Sequence, residues 1–305
     1  MFGLGKPRSS RRVGGELSAD GATLLVLDTT SQQITAALST SGPVGAAPTS
    51  SNSAGGNLKA FVRQHGLKGA ACTVALAPED YDLLLVEAPK VADQEVKQAL
   101  RWRVGDMSAI ATEEATLDWV RATHLTGSES PMLFVAVARI SAIEAIYRWV
   151  NESRLTLESV IIPEFAARNL LVACGERNTC TAALMLREGG ANIAFFREAD
   201  LCMSRKFAPR SPGRIGEAAD AINAEVSRSL NYFERQLKQP TPARLFVCGV
   251  DGSETQVAKD LSGSLPMPAS SFELPAALHA SAGLATGADL HSLLALGAAL
   301  EGTLN

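Results

Sequence analysis

The residues best suited to chemistry in this 305-residue chain are a short acidic turn and a late glycine. Asp28-Thr29-Thr30-Ser31 follows an apolar run and sets a carboxylate beside three hydroxyls. A carboxylate ending a strand can position a divalent cation and its water, while turn N–H groups face a phosphate. The same residues also suit something simpler, because Asp before Thr-Thr-Ser readily closes an Asx-turn on its own backbone. Gly249, in Gly249-Val250-Asp251-Gly252, could let a ligand approach the main chain closely. A second group, Arg101-Trp102-Arg103, sets an indole between two guanidinium forks, side chains that can serve as an apolar anchor and as hydrogen-bond donors. Its structural alternative is Trp102 packed under a neighbouring sheet with both arginines solvated.

Composition narrows the field. The chain is 46% hydrophobic and 20% charged, with a net charge of −4, as expected of a folded protein with a core and not of a polyanion binder. Basic residues concentrate near the N-terminus, so no nucleic-acid module is expected. The five cysteines (Cys72, Cys174, Cys180, Cys202, Cys248) and four histidines (His65, His124, His279, His291) are scattered, without the spacing of a metal cage. Apolar neighbours of Cys202 and Cys248 suggest buried free thiols in a reducing compartment. His279 and His291 lack a supporting acid or cysteine, and the pairs Glu79-Asp80 and Glu113-Glu114 read as solvated. Gly5-Lys6 lacks the rest of a phosphate-binding loop. No apolar run reaches the ~18 residues that cross a bilayer, and no signal peptide is evident, so a cytoplasmic location is expected.

Those residues need elements to hold them. Residues 1–21 read as a basic flexible tail. Lys6, Arg8, Arg11 and Arg12 precede the first acid, Glu16, among Gly, Ser and Pro, and such a segment buries too little to fold alone. Its charges could touch anionic lipid. Order begins with strands at Ala22–Asp28 and Gln33–Leu38, then a helix with Leu58, Phe61 and Val62 on one face. Strands at Cys72–Leu76, Asp82–Val86, Met132–Ala138 and Leu155–Ile162 follow. Between them Asp93 suits the N-cap of a helix whose Val96, Ala99, Leu100 and Val104 share a face, with Trp102 off that stripe. Ile143, Ile146, Tyr147 and Val150 line a further helix. After Gly175, three antiparallel strands run from Thr181 to Phe207. A long helix through Ile222, Val226, Leu230 and Phe233, a strand at Arg244–Cys248 and an Ala-rich helix at Leu290–Leu300 complete the chain. A meander opening each part, followed by helices, implies two α/β domains of similar design.

Four stretches give this layout a family likeness: Met1-Phe2-Gly3-Leu4; Ala88-Pro89-Lys90-Val91 with Glu95-Val96 and Ala99-Leu100-Arg101-Trp102; Ala224-Glu225-Val226-Ser227-Arg228-Ser229-Leu230-Asn231-Tyr232-Phe233; and Ala295-Leu296-Gly297-Ala298-Ala299-Leu300-Glu301-Gly302. In order and spacing they resemble the PilM-type pilus proteins of the actin-like ATPase superfamily, and in their looseness the MshI branch associated with mannose-sensitive haemagglutinin pili. The resemblance implies an α/β, actin-like two-domain fold. Its first half would span 22–177 with a small insert at about 77–154, and its second half 178–305 with a reduced insert. It further implies a cytoplasmic scaffold, peripheral to the inner membrane, in a type IV pilus platform. Such a scaffold binds the N-terminal tail of a bitopic PilN-like partner beside the insert, where Arg101, Trp102 and Arg103 are the candidate contacts, and can self-associate in a ring.

The superfamily carries ATP and magnesium between its halves, which would make Asp28, Thr29, Thr30, Ser31 and Gly249 a vestigial nucleotide site. Thr30 stands where that family has glycine, Thr181–Leu186 contains no Asp-x-Gly, and Val250 replaces a second late glycine. The short link between Phe207 and Ala224 leaves little to wall off an adenine. Weak or absent ATP binding without useful hydrolysis is expected. The alternative is an ATP-binding switch or ATPase of the pilus or type II secretion machinery.

Overall fold

The computed structural model describes residues 10–18, 21–41, 54–125, 130–208, 219–250, 252–274, 278 and 289–303. The first element is strand β1 (Arg11–Ser18), followed by β2 (Gly21–Asp28) and β3 (Gln33–Ser41). The basic segment expected to be a flexible tail is thus a strand over most of its second half; residues 1–9, with Lys6 and Arg8, lie outside the described residues. β1 is also the middle strand of its sheet, antiparallel to β2 and parallel to β4. Its charges are tolerated there because distant residues neutralise them: Arg12, 8% exposed, pairs with Glu158.

Helix α1 (Ala54–Gln64), β4 (Ala71–Ala75), β5 (Tyr81–Glu87), α2 (Val96–Gly105), β6 (Ala115–Arg121), β7 (Met132–Arg139), α3 (Ile140–Glu152), β8 (Thr156–Ile161) and α4 (Pro163–Ala173) complete the first half. The second contains β9 (Cys180–Arg187), β10 (Gly190–Arg197), β11 (Asp200–Phe207), α5 (Ala219–Arg235), β12 (Arg244–Cys248), α6 (Glu254–Ser262), β13 (Ala269–Ser271) and α7 (Leu290–Ala299). The five-stranded sheets run β3-β2-β1-β4-β8 and β11-β10-β9-β12-β13, the same order twice. In each, an antiparallel meander leads into parallel strands joined through helices.

Side-chain alternation explains why these strands are apolar on both faces. Leu24 and Val26 point to a core with Leu58, Phe61 and Val62 of α1 and Trp149 and Val150 of α3. Leu25 and Leu27 point the other way, into a core shared with α4, α7 and, from the second sheet, Ala183 and Met185. Ala182, Leu184 and Leu186 face a third core against Ile222, Val226 and Phe233 of α5. Burial pushes the thiols of Cys72, Cys202 and Cys248 up to about 12, and those of Cys174 and Cys180 to about 11.

The insert has its own antiparallel sheet, β5-β7-β6, with Leu100 and Val104 of α2 packed on Val86, Leu117 and Val135. Helix α3, inside the 77–154 expected for the insert, packs on the first five-stranded sheet. Asp93 belongs to a 3-10 turn over Asp93–Glu95 and makes no side-chain cap. On α3 the buried positions are Ile146, Trp149 and Val150, spaced i, i+3, i+4, whereas Tyr147 is 58% exposed.

Helix α7 ends the second half in sequence but lies on the first sheet. β1 alternation puts Arg12, Gly14 and Glu16 on the face that meets it. Gly14 faces Ala295 and Ala299 so closely that a Cβ would lie 2.8 Å from the Ala299 Cβ and overlap the Ala295 carbonyl. Among the described residues no helix is long and apolar enough to cross a membrane.

Candidate functional site

In sheets of this kind ligands collect at the carboxyl ends of the parallel strands. Here the carboxyl ends of β1 and β9 face each other across the two halves, and charged side chains fill the gap. Glu16 of β1 is 1% exposed. Its Oε1 accepts a hydrogen bond from Arg187 Nη1 of β9 at 3.1 Å, and its Oε2 lies 2.9 Å from Nδ1 of His291 on α7. Asp289 caps α7, accepting from the Ser292 N–H at 2.9 Å, which fixes the first turn that carries His291. The hydrogen bond to Glu16 raises the His291 pKa against the opposing effect of burial.

The sign of that shift sets a pH dependence. A histidine whose folded pKa exceeds its unfolded value of about 6.5 contributes stability that is complete below 6.5 and is lost as pH rises through the folded value. The thermal midpoint of the native chain should therefore fall between about pH 6 and 9 more steeply than that of His291→Gln. Parallel curves would remove His291 from the bridge.

A second buried acid lies nearby. Glu164, in the first turn of α4, is fully buried and accepts from Tyr81 Oη (2.8 Å), Asn192 Nδ2 (2.9 Å) and Ser204 Oγ (2.8 Å). Burial first, and Glu164 second, push the Tyr81 hydroxyl well above its ordinary value. Lys206 Nζ donates to the Tyr81 and Pro78 carbonyls and stands 3.6 Å from the Tyr81 ring centre, and burial lowers its pKa. These contacts again join the first half and insert to β10 and β11.

The acidic turn singled out from sequence is elsewhere. Because β1 precedes β2, Asp28-Thr29-Thr30-Ser31 closes the β2–β3 hairpin and not the turn after the first strand, whose residues 19–20 lie outside the described set. Asp28 pairs with Arg11 at the start of β1, while Glu16 pairs with Thr23, so Asp28 lies about 17 Å further along the strands from the bridge. Its Oδ1 accepts from the N–H groups of Thr30 (2.8 Å) and Ser31 (3.1 Å), the local Asx-turn geometry. The N–H of Ser31 and then that of Thr30 lower its pKa. Thr29 is held by the Ser10 carbonyl. Gly249, by contrast, does reach the interface, where its carbonyl accepts from the Leu290 N–H at 2.8 Å beside the start of α7. The structure thus separates Gly249 from the residues expected to accompany it. Asp28→Ala is accordingly expected to leave any ATP affinity unchanged, as measured by calorimetry with magnesium; loss of binding would restore the turn to the site.

The described residues of this gap offer a nucleotide a poor fit. A triphosphate entering between β1 and β9 would meet the Glu16 carboxylate, and Nη1 of Arg187 is already bonded to it, while Arg187 Nη2 is buried without a partner among the described residues. Among the described residues, Glu16 is met there by Arg187 and His291. The signal for this bridge in sequence was the alternation Arg12-Gly14-Glu16, easily overlooked in a glycine-rich basic segment.

The other candidate group lies on α2. Trp102 is 80% exposed, so it does not pack under the sheet. Arg101 Nη2 donates to the Thr112 carbonyl at 2.5 Å and Arg103 Nη1 to that of Glu87 at 2.6 Å. A hollow of about 380 Å³ opens beside Arg103, lined by Glu87, Ala88, Pro89, Lys90, Arg103 and Ser130.

Twin sheets of one topology, a shared interior core and an insert in the first half define an actin-like two-domain fold. No family model and no curated protein matches the sequence. Among solved structures, the chain is similar to one from a PilM-PilN type IV pilus biogenesis complex, with a TM-score of 0.70 at 17% identity over 98% of this chain and 100% of the other. It is also similar to the cytoplasmic domain of EpsL, an inner membrane component of the type II secretion system of Vibrio cholerae (TM-score 0.55, 12% identity, 97% and 100% covered). A Bacteroides thetaiotaomicron protein with an actin-like ATPase fold has a TM-score of 0.50 at 11% identity over 95% and 96%. At these identities the likeness establishes the fold.

Proposed function

We propose that this chain is a cytoplasmic scaffold of a type IV, MSHA-like pilus platform, peripheral to the inner membrane. It holds the N-terminal tail of a bitopic PilN-like partner and turns over no nucleotide. The observation that carries the reading is on the insert: Ala88, Pro89 and Lys90 of the family-like segment line one hollow with Arg103, and Trp102 stands exposed on the same helix. A large exposed aromatic next to polar, cationic walls is what a peptide needs for an anchor and for backbone hydrogen bonds. The fold's extent supports the same reading, since the likeness to the pilus complex runs through almost the whole chain. The bridged gap between the halves favours a structural role over a nucleotide cycle.

The test is affinity capture from detergent-solubilised membranes of the source, followed by titration with the captured protein's N-terminal peptide. Trp102→Ala should weaken that peptide by at least about 30-fold, a hot-spot loss of about 2 kcal/mol, without lowering the thermal midpoint. Undiminished binding would move the contact off α2. ATP retained on the purified chain would favour the switch.

A further inference from the structure

The sequence places its basic residues in the N-terminal segment, but the fold gathers another set at the far end of the first half. Lys59 and Arg63 of α1, Lys68 after it and Arg154 after α3 are exposed and line one surface hollow of about 570 Å³. Glu152 is the acid in that lining, 3.8 Å from Lys59.

Cations at helix C-termini often do no more than offset the helix dipole, roughly half an elementary charge per helix. That role is already taken at α1, where Arg11 of β1 donates to the carbonyls of His65 (2.7 Å) and Gly66 (3.3 Å). Allowing for Glu152 and the end of α3, the four lining cations leave a surplus of roughly two to three positive charges. This surplus sits on a chain whose net charge is −4, so the patch is a local reversal of sign. The cations come from separate elements on exposed stems, without the buried fork and N–H groups that grip a single phosphate. A spread of that kind matches a charged plane.

We infer that this end of the first half rests on an anionic lipid surface. The contact needs no protein partner, so failure of the tail peptide to bind α2 leaves it intact.

The test uses the full chain and vesicles, with sedimentation as the readout. The chain should bind vesicles of phosphatidylglycerol and phosphatidylcholine in equal parts but not phosphatidylcholine alone. Binding should fade as salt shortens the screening length from about 10 Å at 0.1 M to about 3 Å at 1 M. Arg63→Gln combined with Lys68→Gln should weaken partitioning about 25-fold, at roughly fivefold per charge. Arg235→Gln with Lys259→Gln, exposed positions in the second half, should change it little. Equal binding by the Arg63/Lys68 variant would overturn the inference. So would binding to soluble polyglutamate with none to the anionic vesicles, which would assign the patch to an acidic protein segment.

Discussion

Arg187→Met is expected to destabilise the chain by about 3–5 kcal/mol, because it strands a buried carboxylate. Glu16 is 1% exposed, and its partners besides Arg187 come down to His291, whose side chain is 32% exposed. The loss should grow as pH rises, since His291 is then less able to carry the countercharge. Pairing the change with Glu16→Gln should recover most of the stability, because removing both members of a buried pair is often close to neutral. Urea denaturation of the four members of this cycle would measure the coupling, expected to exceed about 2 kcal/mol for groups in direct contact. Additive losses would mean that the bridge is incidental. The result bears on function as well as stability. The bridge ties β1 to β9 and α7, so it fixes how the halves meet.

The second large effect is steric. A Cβ at Gly297 would overlap the Ala166 carbonyl oxygen of α4 and lie 2.7 Å from its carbon. Backbone cannot swing aside as a long side chain can, so Gly297→Ala must push α7 off α4. Overpacking of this kind costs about 1–3 kcal/mol and more where backbone must move. The shift would also disturb the 2.9 Å bond from Asn169 Nδ2 to the Gly297 carbonyl, and with it the contact to Glu301 at 2.7 Å. A drop in thermal midpoint of about 2–5 °C is expected. Gly14→Ala should behave alike from the opposite side of α7. Gly263 is the control, because its φ is −77° and a Cβ there meets nothing nearer than 3.6 Å; Gly263→Ala should stay within about 0.5 kcal/mol of the native chain.

Much of the architecture was legible in the chain itself. The apolar runs at Leu24–Leu27 and Ala182–Leu186 announced strands. The helices around Leu58, Leu100 and Val226 followed from their spacing, that around Leu294 from its Ala-rich apolar composition, and the paired meanders gave the twofold design. Strand β6 escaped notice because Asp118 and Arg121 interrupt its apolar run, leaving the buried face only at the alternate positions Ala115, Leu117 and Trp119.

What only the tertiary structure decided is concentrated in β1. Arg11-Arg12-Val13-Gly14-Gly15-Glu16 has the composition of a solvated tail, and no local rule would bury it. It becomes a central strand because Glu158 neutralises Arg12, Arg187 and His291 neutralise Glu16, and α7 needs the bare backbone of Gly14. Those partners lie 146 to 275 residues away along the chain. Placing that strand ahead of the others also shifts every later turn by one, which carries Asp28 to the far end of the sheet. Periodicity is a local property and could be read from sequence. The neutralisation of a charge by a residue from the other half is not, because burial becomes affordable only once both ends of the chain have met.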